Sequence, residues 1–202
     1  MSEVFFVTAS IACGKSTFMQ IAKNKGFKVL NADMIAHELL DENALKIVDL
    51  FDDKSLIKEQ KIDRKALANI VFNDHLAKEK LENFLHPKIR TEIIKQIKLL
   101  KNFSPIFVEL PLFFETKAYF ELGKSILIYA PKELSLKRLM QRDSLSEKEA
   151  LQRLEAQMDI EKKLELADFV IKNEGNLEEF KQNCEEFFDT IKLLNKGKNE
   201  IL

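Results

Sequence analysis

Short apolar runs at 4–8, 28–30, 106–110, 126–129 and 168–171 punctuate a chain that elsewhere places its apolar residues three or four positions apart. An uninterrupted apolar run of this length suits a strand covered on both faces, and the three-to-four spacing gives a helix one apolar side. Strands and helices alternating in this way build βαβ units, so the pattern predicts an α/β fold with a parallel sheet flanked by helices. The stretch 34–101 has helical spacing throughout and is too long for one crossover helix, which predicts an appended helical subdomain. Within it His86-Pro87 is expected to bend the chain and separate two helices, because a residue before proline is pushed out of the α region. A helix over 134–141, followed by the capping-box pattern Ser146-Glu147-Lys148-Glu149, predicts a helical hairpin between the last two strands.

Composition narrows the class. At 202 residues and 46% hydrophobic, the chain has room for one α/β core with helical insertions. With only 5 Gly and 4 Pro there is no sign of a long linker, and order is expected throughout, apart from a tail at about 195–202. Lys and Arg (32) nearly match Asp and Glu (33), so no broad field favours nucleic acid or an anionic membrane, and anionic ligands must be met locally. Val4-Phe5-Phe6-Val7 is far too short to span a bilayer and follows Glu3, not a basic segment, so neither a leader nor an anchor is expected, and the location expected is cytoplasmic. Cys13 and Cys184 lie far apart without His or Cys at ligand spacing, which argues against a disulfide or a zinc site. Nothing in the sequence speaks to oligomeric state.

The strongest chemical signal is Ala9-Ser10-Ile11-Ala12-Cys13-Gly14-Lys15-Ser16-Thr17, set between an apolar strand and an amphipathic helix. This is the context of a Walker A phosphate loop, in which backbone N–H groups cradle phosphate oxygens, the lysine reaches the terminal phosphates and the serine hydroxyl helps hold magnesium. Lys15 and Ser16 take those places. The pattern begins with glycine where this chain has Ala9, and a methyl group there is expected to strain the turn by roughly 1–2 kcal/mol if φ is positive. Asp33 ends the second strand, where open α/β sheets bind ligands. Its carboxylate suits a general base or a magnesium-water ligand, and equally suits the N-cap of the helix that follows. Arg138 and Arg142, four apart on one helix, share a face, which fits phosphate contacts or a solvated surface.

In its full set of motifs the chain resembles the dephospho-CoA kinase family from about residue 4 to 194. The resemblance rests on Ile11-Ala12 before Gly14-Lys15-Ser16-Thr17, Ala32-Asp33 with Ile35-Ala36, Asp63-Arg64, Leu85-His86-Pro87 with Ile89-Arg90, and Pro111-Leu112 with Phe114-Glu115. It extends through Arg138-Leu139-Met140, Arg142-Asp143, Ala156-Gln157-Met158, Ala167-Asp168, and Asn173 with Gly175. It implies a P-loop NTPase-like fold with a core of 1–33, 104–131 and 167–195, an acceptor-binding helical insertion at 34–103 and a lid at 132–166. It implies ATP and Mg2+ as donor and cofactor, and transfer of the γ-phosphate to the ribose 3′-hydroxyl of dephospho-CoA.

By the same resemblance Asp33, Lys15 and Arg138 are the catalytic candidates. Residues Ala12 to Thr17 (Ala12, Cys13, Gly14, Lys15, Ser16, Thr17), with Arg142, Asn173 and Gly175, would hold ATP, the last two near the adenine, while Ser16 would take the metal. Arg64, His86, Arg90, Pro111 and Glu115, with Asp33, would hold the acceptor. The chain departs from the family's pattern where Ala9-Ser10 stand for Gly-Gly, where Cys13 stands for serine, and where Asp159-Ile160 stand for Pro-Arg after Met158. Cys13 admits a thiol activated by the loop's N–H groups, or an inert small side chain. Two rival functions remain at this level: another small-molecule kinase of the same fold, and a nucleotide-binding module without catalysis.

Overall fold

A computed structural model describes residues 3–100, 102–103 and 105–199, with side chains as far as 193. In chain order the elements are β1 (Val4–Ala9), α1 (Lys15–Asn24), β2 (Lys28–Asn31), α2 (Ala32–Glu42), α3 (Ala44–Phe51), β3 (Ile57–Lys58), β4 (Lys61–Ile62), α4 (Arg64–Asn73) and α5 (His75–Leu99). They continue with β5 (Ile106–Glu109), α6 (Phe113–Thr116), β6 (Lys124–Tyr129), α7 (Lys132–Asp143), α8 (Glu147–Glu155), α9 (Ile160–Leu166), β7 (Phe169–Lys172) and α10 (Leu177–Asn199). All five apolar runs are strands, and they form one sheet in the order β2-β5-β1-β6-β7.

β1 is buried at every position because it is the central strand. It pairs in parallel with β5 from Val4↔Ile106 to Val7↔Glu109, and with β6 from Phe5↔Lys124 to Ala9↔Ile128. Alternate residues serve opposite faces, as the pleat requires. Phe5 stacks on Phe107, part of an aromatic cluster with Phe18 and Phe188, while Phe6 stacks on Phe113 and meets Tyr119. Asp168 ties the first residues of β6 and β7 together, accepting from the N–H and hydroxyl of Ser125, each at 2.7 Å.

The chain divides into two compact units, 1–30 with 99–202 and 31–98. The smaller unit has its own apolar core around Ile47, Leu56, Ile62 and Leu67. Here the structure differs from expectation in three respects. First, the unit is not wholly helical: β3 and β4 form an antiparallel pair closed by Glu59 and Gln60 at φ 49° and 65°. Two-residue hairpins need positive φ, usually signalled by Asn-Gly or Asp-Gly, so Glu-Gln gave no warning. Second, α5 is not broken at His86-Pro87 but runs through it. Proline there removes one helical hydrogen bond at about 3 kcal/mol, and burial of Leu85 and Ile93 on either side offsets it. Third, Asp33 falls in the helical unit and not at the end of the second strand, because Asn31 ends β2 and caps α2, whose first turn holds Asp33.

The hairpin of α7 and α8 carries the expected capping box at Ser146 and Glu149. The backbone of α10 is helical to Asn199, and the rest of the expected unordered tail, 200–202, lies outside the described residues. No helix among the described residues is long and apolar enough to cross a membrane.

Candidate active site

The phosphate loop is built by a strand that must stop and a helix that must start. Ala9 is the last residue of β1 and is 3% exposed. It is not among the residues with positive φ, so the expected strain at this position is absent. The strained conformations fall later, at Ala12 with φ 63° and Gly14 with φ 100°. Gly14 is the N-cap of α1 and has no side chain to offer, so the N–H groups of the first turn stay available to an anion. A Cβ at Gly14 would lie 2.5 Å from Asn173 Nδ2 and 3.0 Å from Phe180, which explains why glycine stands there.

Around this loop lies a cavity of about 520 Å³, lined by residues 9–17 together with Pro111, Arg138, Arg142 and Gln157. Lys15 reaches the Glu109 carboxylate at the end of β5 and pairs with it. Ser16 is exposed at the start of α1. Thr8 Oγ1 donates to the Pro111 carbonyl (2.8 Å), fixing the chain after β5 against the end of β1.

Arg138 lines the cavity with its guanidinium held in place. Its guanidinium donates to the Asn173 carbonyl (3.0 Å), to Asn173 Oδ1 (3.1 Å) and to the Gly175 carbonyl (3.1 Å). Asn173 Nδ2 donates in turn to the Cys13 carbonyl at 2.9 Å, so Arg138 and Asn173 brace the phosphate loop from behind. Arg142 grips Asp143 with two hydrogen bonds of 2.7 and 3.0 Å, and Arg153 meets the same carboxylate at 3.1 Å. Arg142 first, then Arg153, holds the Asp143 carboxyl below the usual range.

Cys13 is 1% exposed, and its Sγ lies 3.3 Å from Ser135 Oγ. Burial pushes its thiol pKa up, against the lowered value considered from the loop's N–H groups. Both cysteines are free and buried. Glu115 does not line the cavity: its Oε1 meets Lys163 Nζ at 2.8 Å and accepts the Met158 N–H at 3.3 Å.

In the helical unit, Asn31 Oδ1 accepts the Met34 N–H at 2.9 Å and is the N-cap of α2. The capping role considered for Asp33 therefore belongs to Asn31, and Asp33 stands exposed in the first turn of the helix. Arg64 opens α4 after the Asp63 cap and pairs with Asp41 at 3.0 Å. His86 and Arg90 are one helical turn apart on α5, on the same face.

Sequence reasoning passed over Glu109, Gln157 as a loop contact, and Lys163. Glu109 had a signal, since it is the one carboxylate in the apolar run 106–110, at a strand's carboxyl end. Lys163 had none, because its burial depends on α9 packing that no local pattern shows.

Residues 4–179 match the family model described as dephospho-CoA kinase. The chain belongs to the dephospho-CoA kinase family. A Campylobacter jejuni (strain RM1221) dephospho-CoA kinase is 57% identical over 203 residues, covering 98% of this chain and 100% of the relative. One from Helicobacter pylori (strain 26695) is 40% identical, covering 95% and 98%. Among solved structures, a dephospho-CoA kinase from Campylobacter jejuni superposes with a TM-score of 0.81 at 55% identity, covering 96% of this chain and 100% of that one. The shikimate kinase of Acinetobacter baumannii, at 15% identity and a TM-score of 0.53, shares the fold alone.

Proposed function

We propose that this chain transfers the γ-phosphate of ATP to the ribose 3′-hydroxyl of dephospho-CoA in the cytoplasm, completing coenzyme A synthesis. The observation that carries this reading, in a chain of this family, is the phosphate loop. An uncapped first turn of α1, Lys15 and two arginines border one cavity that has no other evident use.

On this reading ATP's phosphates lie along residues 12–17, and Lys15 exchanges Glu109 for the β and γ oxygens. Arg142, which also lines the cavity, adds charge. The turn at Asn173 and Gly175 borders the adenine, while Arg138 holds that turn and the loop in register. Asp33 takes the proton of the attacking hydroxyl, and Arg64, His86 and Arg90 contact the acceptor's phosphates and ribose, with Pro111 beside it.

The residues fit magnesium, which keeps several waters and takes oxygen from one or two protein groups plus substrate phosphates. Ser16 presents an exposed hydroxyl next to Lys15, and no cluster of three acidic, His or Cys side chains exists among the described residues to form a closed protein cage. Bound there, the ion would neutralise charge on the phosphates. Small molecules are the only partners this reading requires.

The test is ADP release with dephospho-CoA as acceptor, with adenosine, AMP and shikimate as controls. Release that depends on dephospho-CoA supports the reading. Equal rates with shikimate would favour another kinase of this fold, and ATP binding without transfer would favour the nucleotide-binding module.

A further inference from the structure

Lys163 is 0% exposed, and full burial of a lysine is rare unless a partner compensates it. Its partner is Glu115 on α6, and the ammonium meets that carboxylate as an ion pair, off the direction a hydrogen bond prefers. Buried ion pairs seldom add stability over an apolar pair of the same size, because desolvation offsets the attraction. Such a pair can instead contribute through what it positions.

Glu115 Oε1 also accepts the Met158 N–H, at 3.3 Å, in the non-helical link between α8 and α9. The preceding residue, Gln157, accepts the Ile11 N–H with its side-chain oxygen, at 2.9 Å. Ile11 adjoins Ala12, whose φ of 63° is unfavourable for a residue with a Cβ. Such a conformation persists only where its surroundings fix it. Lys163 also lies close enough for its charge to act on the Cys13 thiol of the same loop.

We propose that Lys163 is a positioning residue for phosphate binding: through Glu115 it pins the 157–158 link, and Gln157 on that link holds the phosphate loop in its bent form. The inference rests on reading the loop as the cradle for ATP's phosphates, and it assigns Glu115 as an internal brace in place of the acceptor contact that the resemblance implied.

Two measurements test it. In the intact chain, hydrogen exchange of the Ile11 and Met158 amides should be slow and should rise together as denaturant opens the link. Protection factors of the two amides that differ by more than tenfold through the denaturant series would overturn the coupling, and no variant has to fold for this to be read. Second, the double variant Glu115→Met, Lys163→Met removes both charges at similar volume. It should remain folded, raise the KM for ATP about tenfold, leave the KM for dephospho-CoA near wild type, and speed exchange at Ile11. Gln157→Met should give the same KM split, and adding it to the double variant should produce little further loss. An unchanged KM for ATP, or additive losses of about a hundredfold in the triple variant, would overturn the proposal. Failure of the wild-type chain to bind ATP would instead defeat the functional reading and leave the amide coupling standing.

Discussion

Gly14→Ala separates backbone strain from steric overlap at the centre of the phosphate loop. At φ 100°, Gly14 lies outside the region that L residues adopt comfortably, and a left-handed conformation costs a residue with a Cβ about 1–2 kcal/mol. The added methyl would also lie 2.5 Å from Asn173 Nδ2, so Asn173 must move and release the Cys13 carbonyl it now bonds at 2.9 Å. A buried group that loses its partner costs about 1–3 kcal/mol. The total is roughly 2–5 kcal/mol, which for a chain of this size lowers the Tm by roughly 4–20 °C. Gly26 is the control: its φ is 85°, but nothing lies within 4 Å of a built Cβ. Gly26→Ala should show only the conformational cost, about 1–2 kcal/mol, with normal ATP affinity. Thermal melts followed by circular dichroism, with titration of a fluorescent ATP analogue, measure both. Equal Tm losses in the two variants, with ATP affinity intact in Gly14→Ala, would refute the steric account.

Lys15→Ala should abolish transfer while the protein stays folded, since Lys15 lines the cavity and takes no part in the apolar core; steady-state ADP release checks this, and wild-type turnover would sink the phosphate-loop assignment. Asp33→Asn should keep the Tm near wild type, because Asn31 provides the cap, while turnover falls by about 10²-fold or more, as loss of a general base does. Its companion Asn31→Ala should cost about 1 kcal/mol of stability, so a melt that drops for Asp33→Asn and not for Asn31→Ala would reverse the two roles. Tyr129 donates to Glu161 at 2.8 Å, and this bond, then burial, pushes the phenol up to about 12. A folded pKa raised above the unfolded value of about 10 means stability that is full below pH 10 and is lost as pH rises from there toward 12. Tyr129→Phe should flatten the fall in Tm over that range, and an unchanged slope would show that the hydrogen bond does not shift the titration.

Most of the sheet could be read from the chain because its strands are covered on both faces and so are written as plain apolar runs. Val4–Ala9 carries no polar residue except Thr8, and the glycine and lysine that follow announce the turn to a helix. The helical unit was less legible. Its hairpin turns on Glu59 and Gln60, residues without the usual turn chemistry, and α5 overrides a proline through burial on either side. At the site, residue types pointed correctly to phosphate chemistry but not to each side chain's partners. Arg138 and Asn173 were expected to face ligand; Arg138 lines the cavity while donating to Asn173 and Gly175, and Asn173 donates to the Cys13 carbonyl of the phosphate loop. Asp33 and Asn31 are both competent caps, and only the structure shows which one the helix uses.

The strand order also sets a schedule. β1 is the first strand to leave the ribosome, yet its neighbours on both sides, β5 and β6, come roughly a hundred residues later. At about 5–20 residues per second, the two apolar faces of β1, one carrying Phe5 and the other Phe6, wait on the order of 5–20 s for cover. During that wait the segment 31–98, whose core contacts are local in sequence, is already fully synthesised. The nascent chain therefore carries an uncovered apolar strand ahead of a segment that has its own core, and chaperone dependence during synthesis should centre on residues 4–9, well before the strands that complete the phosphate site exist.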